Sequence, residues 1–257
     1  MDLQVLVATM NQKDDALIER MNLQSDAIII NQTDTHNYEK VERNGKTIEI
    51  YSFAERGVGL SRNSALMRAS AAHALLADDD MVYVDGYPKL VEEQFKKYPD
   101  ADVLIFNLEE EIPTRYIIRQ PFQVSKRNYM RFGAARIAFR PESIHKKGIF
   151  FHLQFGGGTP HSNGEDTIFL RDCLEKRLKI MAVPVTIAKL TEERESTWFK
   201  GYNEKYYRDR GALFKTLSPK LYHLLILQFV VRKYQPNQGM PSRQEQIRYM
   251  MEGAKEM

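Results

Sequence analysis

Two hydrophobic periods alternate along the first half of the chain. Short runs rich in Val, Ile and Leu, "LQVLVAT" (3–9), "DAIIINQ" (26–32), "HALLAD" (73–78) and "DVLIFNL" (102–108), predict strands. "NGKTIEIYSF" (44–53) adds a strand after an Asn-Gly turn. Between them, "KDDALIERMNL" (13–23) and "YPKLVEEQFKKYP" (87–99) predict helices, as does "ERGVGLSRNSALMRASAA" (55–72), whose start is marked by glycines and serine. Strands alternating with helices predict an α/β domain around a parallel sheet of the nucleotide-binding, Rossmann-like kind.

The second half is less regular. "EEEIPTRYIIRQPFQ" (109–123) reads as a ribbon, and "AARIAFRPESI" (134–144) as a strand followed by a turn. The glycine-rich loop "FGGGTPHSNGED" (155–166) opens the helix "DTIFLRDCLEKRL" (166–178), and the strand "KIMAVPVTIAKL" (179–190) follows. Beyond Trp198 the pattern is helical, which divides the chain into a domain over 1–198 and a helical extension over 199–257.

Composition narrows the class. At 257 residues, 43% hydrophobic and 28% charged, the chain is an ordinary globular protein. The single cysteine, Cys173, excludes an internal disulfide framework and a cysteine-rich zinc site, and it suits a cytoplasmic location. The longest apolar run, "LYHLLILQFVV" (221–231), is shorter than the roughly 20 residues a membrane span needs. The net charge of +3 is unevenly placed: 199–257 hold 11 Lys/Arg against 5 Asp/Glu, while 1–198 hold 26 against 29. A basic, apolar tail on an acidic body fits peripheral contact with the inner face of a cell membrane, and equally a helical extension packed on its own domain. The basic excess is too modest for nucleic-acid binding, and no recognition motif for it occurs.

The candidate chemistry lies in two acidic sites. If "LLADDD" runs extended, Asp78 and Asp80 point one way and Asp79 the other. Such a carboxylate pair repels by roughly 2–3 kcal/mol at an effective dielectric of about 20, a penalty that a divalent cation, Mn²⁺ or Mg²⁺, removes. The alternative is a solvated acidic turn. Upstream, "RGVGLSRN" sets Gly57, Gly59, Ser61, Arg62 and Asn63 at a predicted helix start, where backbone N–H groups attract anions and Arg62 can donate to a phosphate; without such a ligand, Ser61 is simply an N-cap and Arg62 a surface charge. In the second site Glu165 and Asp166 open a helix behind three consecutive glycines. Acids are favourable in any first helical turn, yet beside a loop this permissive a carboxylate can also act as a general base. Asp166 is the candidate base and Glu165 the alternative.

The order of these features, a β-rich start, "ERGVGLSRNSAL", "LLADDD" and "NGED", resembles the family 2 glycosyltransferases of the GT-A fold, over roughly residues 1–198. The resemblance implies a mixed sheet flanked by helices. It also implies metal-assisted, inverting transfer of a single sugar from a nucleotide-diphosphate donor, usually UDP-linked, to a hydroxyl of a growing glycan or lipid-linked saccharide. On that likeness Asp78 and Asp80, with Asp79 between them, hold the metal and contact the donor ribose. Asp166 of the Glu165–Asp166 pair serves as base, and Ala8, Thr9, Asn31 and Asp34 lie around the nucleobase. Three features depart from the family: the arginine-tryptophan motif of processive members is absent after the catalytic helix, no histidine falls between His161 and His223, and "VATMNQ" and "INQTD" differ from the usual strand ends. A nucleotidyltransferase is the rival enzyme, although "VATMNQKDD" lacks a glycine-rich loop bearing lysine. A catalytically silent scaffold that binds sugar nucleotides is the rival outside enzymes.

Subsidiary candidates have plain structural alternatives. His152 and His161 flank the glycine loop, where a histidine is either a ligand contact or a surface residue. Trp198, Phe199, Tyr202, Tyr206 and Tyr207 form either a sugar-stacking platform or core, and Cys173 lies in an apolar helix stripe.

Overall fold

The computed structural model of the chain describes residues 2–111, 114–191, 201–234 and 239–257. In chain order the elements are β1 (Leu3–Met10), α1 (Leu17–Arg20), β2 (Asp26–Gln32), β3 (Asn37–Arg43), β4 (Lys46–Phe53), α2 (Val58–Arg68), β5 (His73–Asp78), β6 (Met81–Tyr83), α3 (Tyr87–Lys97), β7 (Val103–Glu109), β8 (Phe122–Gln123), β9 (Ile137–Phe139), α4 (Pro141–Lys146), α5 (Glu165–Glu175), β10 (Ile180–Leu190), α6 (Glu204–Leu217), α7 (Tyr222–Lys233) and α8 (Arg243–Gly253).

One mixed sheet carries the fold in the order β3-β4-β2-β1-β5-β9-β7-β10-β6, with β8 beside β10. The strands read from the first half pair in parallel, β4 with β2, β2 with β1 and β1 with β5. The sheet is mixed, as the likeness implies, and its parallel order is broken at β9, at β3 and where β6 and β8 pair antiparallel with β10. The short β9, fully buried, runs antiparallel between β5 and β7, and β3 pairs antiparallel with β4 at the edge. The β3–β4 hairpin turns on Asn44 and Gly45, whose positive φ angles of 51° and 69° suit a two-residue turn that matches strand twist.

Side-chain alternation sorts the strand residues onto two cores. Leu6, Ile28, Ile30 and Leu76 face one layer with Leu66 of α2 and Ile168, Phe169 and Cys173 of α5. Val5, Val7, Ile29 and Leu75 face the other with Ile18 of α1 and Val91 and Phe95 of α3. Because both faces are covered, these strands are apolar along their whole length.

Of the expected ribbon over 109–123, Glu109 ends β7, the described residues 110–111 and 114–121 are irregular, and Phe122–Gln123 form the two-residue β8. The irregular backbone is held from below: the Asn107 amide exchanges two hydrogen bonds with the Ile118 backbone, and Arg136 donates to the carbonyls of Phe106 and Tyr116. Two internal donors thus stand in for the missing cross-strand ladder.

The C-terminal helices do not form a separate core. Tyr207, Leu213 and Phe214 of α6, Ile226 and Val230 of α7 and Met250 of α8 belong to the same apolar cluster as Phe151 and Phe169. The α6–α8 crossing is glycine on backbone: a Cβ on Gly211 would lie 1.9 Å from the Met250 carbonyl oxygen, and one on Gly253 would lie 2.0 Å from that of Arg208. Trp198 and Phe199 lie outside the described residues. Tyr207 is buried in the core whereas Tyr202 is exposed, and Tyr206 stands edge-on to both rings. Cys173 is buried, as its stripe predicts.

Candidate active site

Parallel pairing brings the carboxyl ends of β1, β2, β4 and β5 to one edge, where Ala8 stands opposite Asp78, Thr9 opposite Asn31 and Asn31 opposite Ser52. Ligands of open α/β sheets bind at such an edge. Gln12, just beyond β1, ties the edge together. Its backbone N–H donates to Asn31 Oδ1 at 3.0 Å, Asn31 Nδ2 returns a bond to its carbonyl at 2.9 Å, and its side chain donates to Thr9 Oγ1 at 2.8 Å. Thr9 in turn donates to Asp79 Oδ2 at 2.6 Å. Thr9 and Asn31 are buried, whereas Asp34 is exposed and paired with Arg56.

The acidic triplet is not one strand. β5 ends at Asp78, and Asp79 and Asp80 form the turn into β6, which runs antiparallel to β10. The alternation expected for Asp78 and Asp80 therefore does not hold, because the backbone turns before a second repeat. The three carboxylates have different surroundings. Asp78 Oδ1 accepts from Arg62 Nη2 at 2.7 Å, and Asp79 faces Thr9 and Gln12. Asp80 is anchored by its backbone carbonyl, which accepts from the N–H and hydroxyl of Thr191. Burial, followed by the charges of Asp78 and Asp79, raises its carboxyl to about 6.

The helix start is also corrected. α2 begins at Val58 behind Gly57, which adopts φ 127° and has no side-chain cap. Its first N–H groups are already engaged: Gly57 N donates to Gln32 Oε1 at 2.7 Å and Val58 N to the Gly157 carbonyl at 2.9 Å. Ser61 and Arg62 lie one turn inside and are buried, so Ser61 is not an N-cap and Arg62 is not a donor at a helix terminus. The Arg62 guanidinium instead bridges the two acidic sites, with Nη2 on Asp78 and Nη1 on Glu165 Oε1 at 2.6 Å. Burial alone would disfavour its charge, but the adjacent carboxylates hold it cationic.

Glu165 and Asp166 open α5 behind Gly164, whose φ of 117° is one that L side chains rarely adopt. Glu165 is buried against Arg62, and Gly156 is what admits it: a Cβ there would lie 2.8 Å from Glu165 Oε2 and 2.4 Å from Val58. Asp166 has a different environment. Its Oδ1 accepts from Thr167 N at 2.6 Å, while Oδ2 lies near Gly133. Burial and then the charge of Glu165 raise its carboxyl to about 7, against the opposing pull of Arg62 and Thr167. The two acids thus have different surroundings: Glu165 is an ion-pair partner of Arg62, whereas the Asp166 carboxyl is held above the usual carboxylate range by burial and by the charge of Glu165.

Loop histidines resolve by their partners. His161 is buried, with Nδ1 3.3 Å from Asp209 on α6, and the same aspartate accepts from Ser162 and Lys205. This cluster pins the glycine loop to α6. His152 packs edge-on against Phe155. Clefts of about 640 and 240 Å³ run along the seam between this loop and α6, and neither is lined by the triplet or by Asp166. Sequence reasoning missed Gln12 and Arg136; Gln12 carries no motif signal, being a polar residue just past a strand.

No protein-family model and no curated protein matches this chain. Solved structures do. Staphylococcus aureus TarS 1-349 in complex with UDP-GlcNAc matches with a TM-score of 0.63 over 93% of this chain and 78% of that one, at 14% identity. Its complex with UDP matches at 0.60 over 92% and 76%, with 15% identity, and TarS 1-349 at 0.60 over 100% and 83%, with 14% identity. The chain shares the GT-A-like fold of these structures.

Proposed function

We propose that this protein transfers a single sugar from a UDP-sugar to a hydroxyl of a glycan or lipid-linked saccharide, with inversion at the anomeric carbon. One observation carries the reading: Arg62 links the strand-end carboxylate Asp78 to Glu165, and so holds the neighbouring Asp166 at a set position relative to the sheet edge. The TarS structures in complex with UDP-GlcNAc and UDP support a uridine nucleotide as ligand, and the strand-end edge is its proposed place. Ala8, Thr9, Asn31 and Asp34 are the proposed surroundings of the base, and Asp79 that of the ribose.

Carboxylate oxygens such as those of Asp78 and Asp80 are the donor type that a hard divalent cation, Mg²⁺ or Mn²⁺, takes. Among the described residues no group of three or more His, Cys, Asp or Glu is arranged to hold a metal ion. The cation would rest on Asp80 with Asp78 beside it, and would take its remaining ligands from diphosphate and water, as these hard cations commonly do. When bound, it would supply charge neutralisation for the departing diphosphate.

The chain's own residues do the rest. Asp166 accepts the proton of the acceptor hydroxyl as that oxygen attacks the anomeric carbon and the bond to the diphosphate breaks. A base titrating near 7 is matched to this task, since enough is ionised at neutral pH while it remains basic enough to take the proton. Arg62 keeps Asp78 and Glu165 in register and disperses their charge. Gly156 lets the loop backbone approach Glu165 of α5 closely, and Gly158 lies against the backbone of Gly57.

The test is incubation of the full chain with Mn²⁺ and a panel of UDP-sugars and saccharide acceptors, reading UDP release and glycosylated product. Product with released UDP supports the proposal. Pyrophosphate release from a nucleoside triphosphate would instead make it a nucleotidyltransferase, and donor binding without turnover would make it a scaffold.

A further inference from the structure

The helix α7 leaves its most apolar arc uncovered. Leu224, Leu227 and Val231 are 62%, 53% and 64% exposed, and Leu221 at the helix cap is 57% exposed. At about 100° per residue these four positions fall within an arc of about 120°, while Ile226 and Val230 point into the core from the opposite side. Single exposed leucines are ordinary, but a contiguous stripe on one helix is a contact surface.

Charge identifies what the stripe meets. From Arg210 to Gln244 the chain contains no Asp or Glu and six Lys or Arg, in a protein that elsewhere mixes both signs. Lys220 before α7 and Arg232 and Lys233 at its end are all exposed. A helix of 12 residues is about 18 Å long, too short to cross the roughly 30 Å of bilayer hydrocarbon. No helix among the described residues is long and apolar enough to span. An apolar arc bracketed by cations on a short, surface-lying helix has the chemistry of interfacial attachment.

We infer that α7 docks this protein on an anionic membrane surface, with Leu221, Leu224, Leu227 and Val231 inserted at the headgroup boundary and Lys220, Arg232 and Lys233 paired with lipid phosphates. The inference rests on α7 alone and stands whether or not the protein transfers sugar.

The experiment is flotation of the full-length protein with phosphatidylcholine vesicles containing roughly one-third phosphatidylglycerol, against pure phosphatidylcholine. Binding to the anionic vesicles alone, weakened by salt, is expected. The variant K220Q/R232Q/K233Q should lose affinity at about fivefold per cation, on the order of 100-fold in all. L224S/L227S/V231S should lose at least about tenfold, because the inserted area is removed. Because these side chains are exposed, both variants should retain the parent's circular dichroism and melting temperature. Equal binding to neutral and anionic vesicles, or unchanged binding of the charge variant, overturns the inference. So does sedimentation equilibrium showing a dimer that the serine variant dissolves, since a second copy would then cover the stripe.

Discussion

Arg62 on α2 donates to Glu165 on α5 at 2.6 Å, and its other terminal nitrogen reaches Asp78 at the end of β5. One buried guanidinium therefore couples three elements through a fork that a single ammonium cannot reproduce. Arg62→Met strands two acids and should cost about 3–5 kcal/mol of stability. Arg62→Lys should keep part of that stability while lowering kcat/KM at least about tenfold, because one point charge cannot hold both carboxylates in place. Urea unfolding and steady-state kinetics on the two variants separate these effects.

Asp166→Asn keeps the shape of α5 but removes the proton acceptor. Transfer should fall by about 10²–10⁴-fold while UDP affinity, read by calorimetry, stays within about twofold. Full activity in this variant would remove Asp166 from the mechanism.

The same carboxyl sets a pH dependence. Only ionised Asp166 accepts a proton, so kcat/KM should rise about tenfold per pH unit below about 7 and level off above it. Stability runs in the opposite direction. The folded value is raised above that of the unfolded chain, so the folded state binds more protons between about 4 and 7, and stability is lost as pH rises through that window. At pH 8 Asp166→Asn should therefore be the more stable protein, by on the order of 1 kcal/mol, or about 2–4 °C in Tm. Calorimetric scans of both proteins check this.

Metal dependence should map to Asp80. Asp80→Ala should abolish the thermal stabilisation that UDP with Mn²⁺ gives the parent, a shift equivalent to about 2.7 kcal/mol at a hundredfold excess over Kd. If the variant shows the parent's shift, Asp80 does not hold the cation.

Gly211→Ala should destabilise the C-terminal helices without touching the acidic sites. Its Cβ would overlap the Met250 carbonyl, which is backbone and cannot rotate away, so a loss of at least about 1–3 kcal/mol is expected. A lowered urea midpoint checks it.

The parallel half of the sheet was legible because strands covered on both faces must be apolar throughout, and "LQVLVAT", "DAIIINQ" and "HALLAD" carry that signal locally. The same locality made the acidic triplet and the Glu165–Asp166 pair visible as charges placed at element ends. The insertion of the short β9 between β5 and β7 was hidden, because Ile137–Phe139 has the composition of any buried strand and only pairing fixes its neighbours. The parting of the triplet was hidden too, since whether Asp79 and Asp80 continue a strand depends on β10 drawing β6 to its edge. What the sequence determined by itself was which residues bear charge, which runs are apolar and at what period, since these are properties of the chain and its neighbours along it. Only the tertiary structure decided the partners: Arg62 reaches Glu165 across 103 residues, and Thr9 reaches Asp79 across 70. A buried charge or hydroxyl is satisfied by whatever group the packing brings within about 3 Å, and that distance exists only once the sheet and helices have assembled.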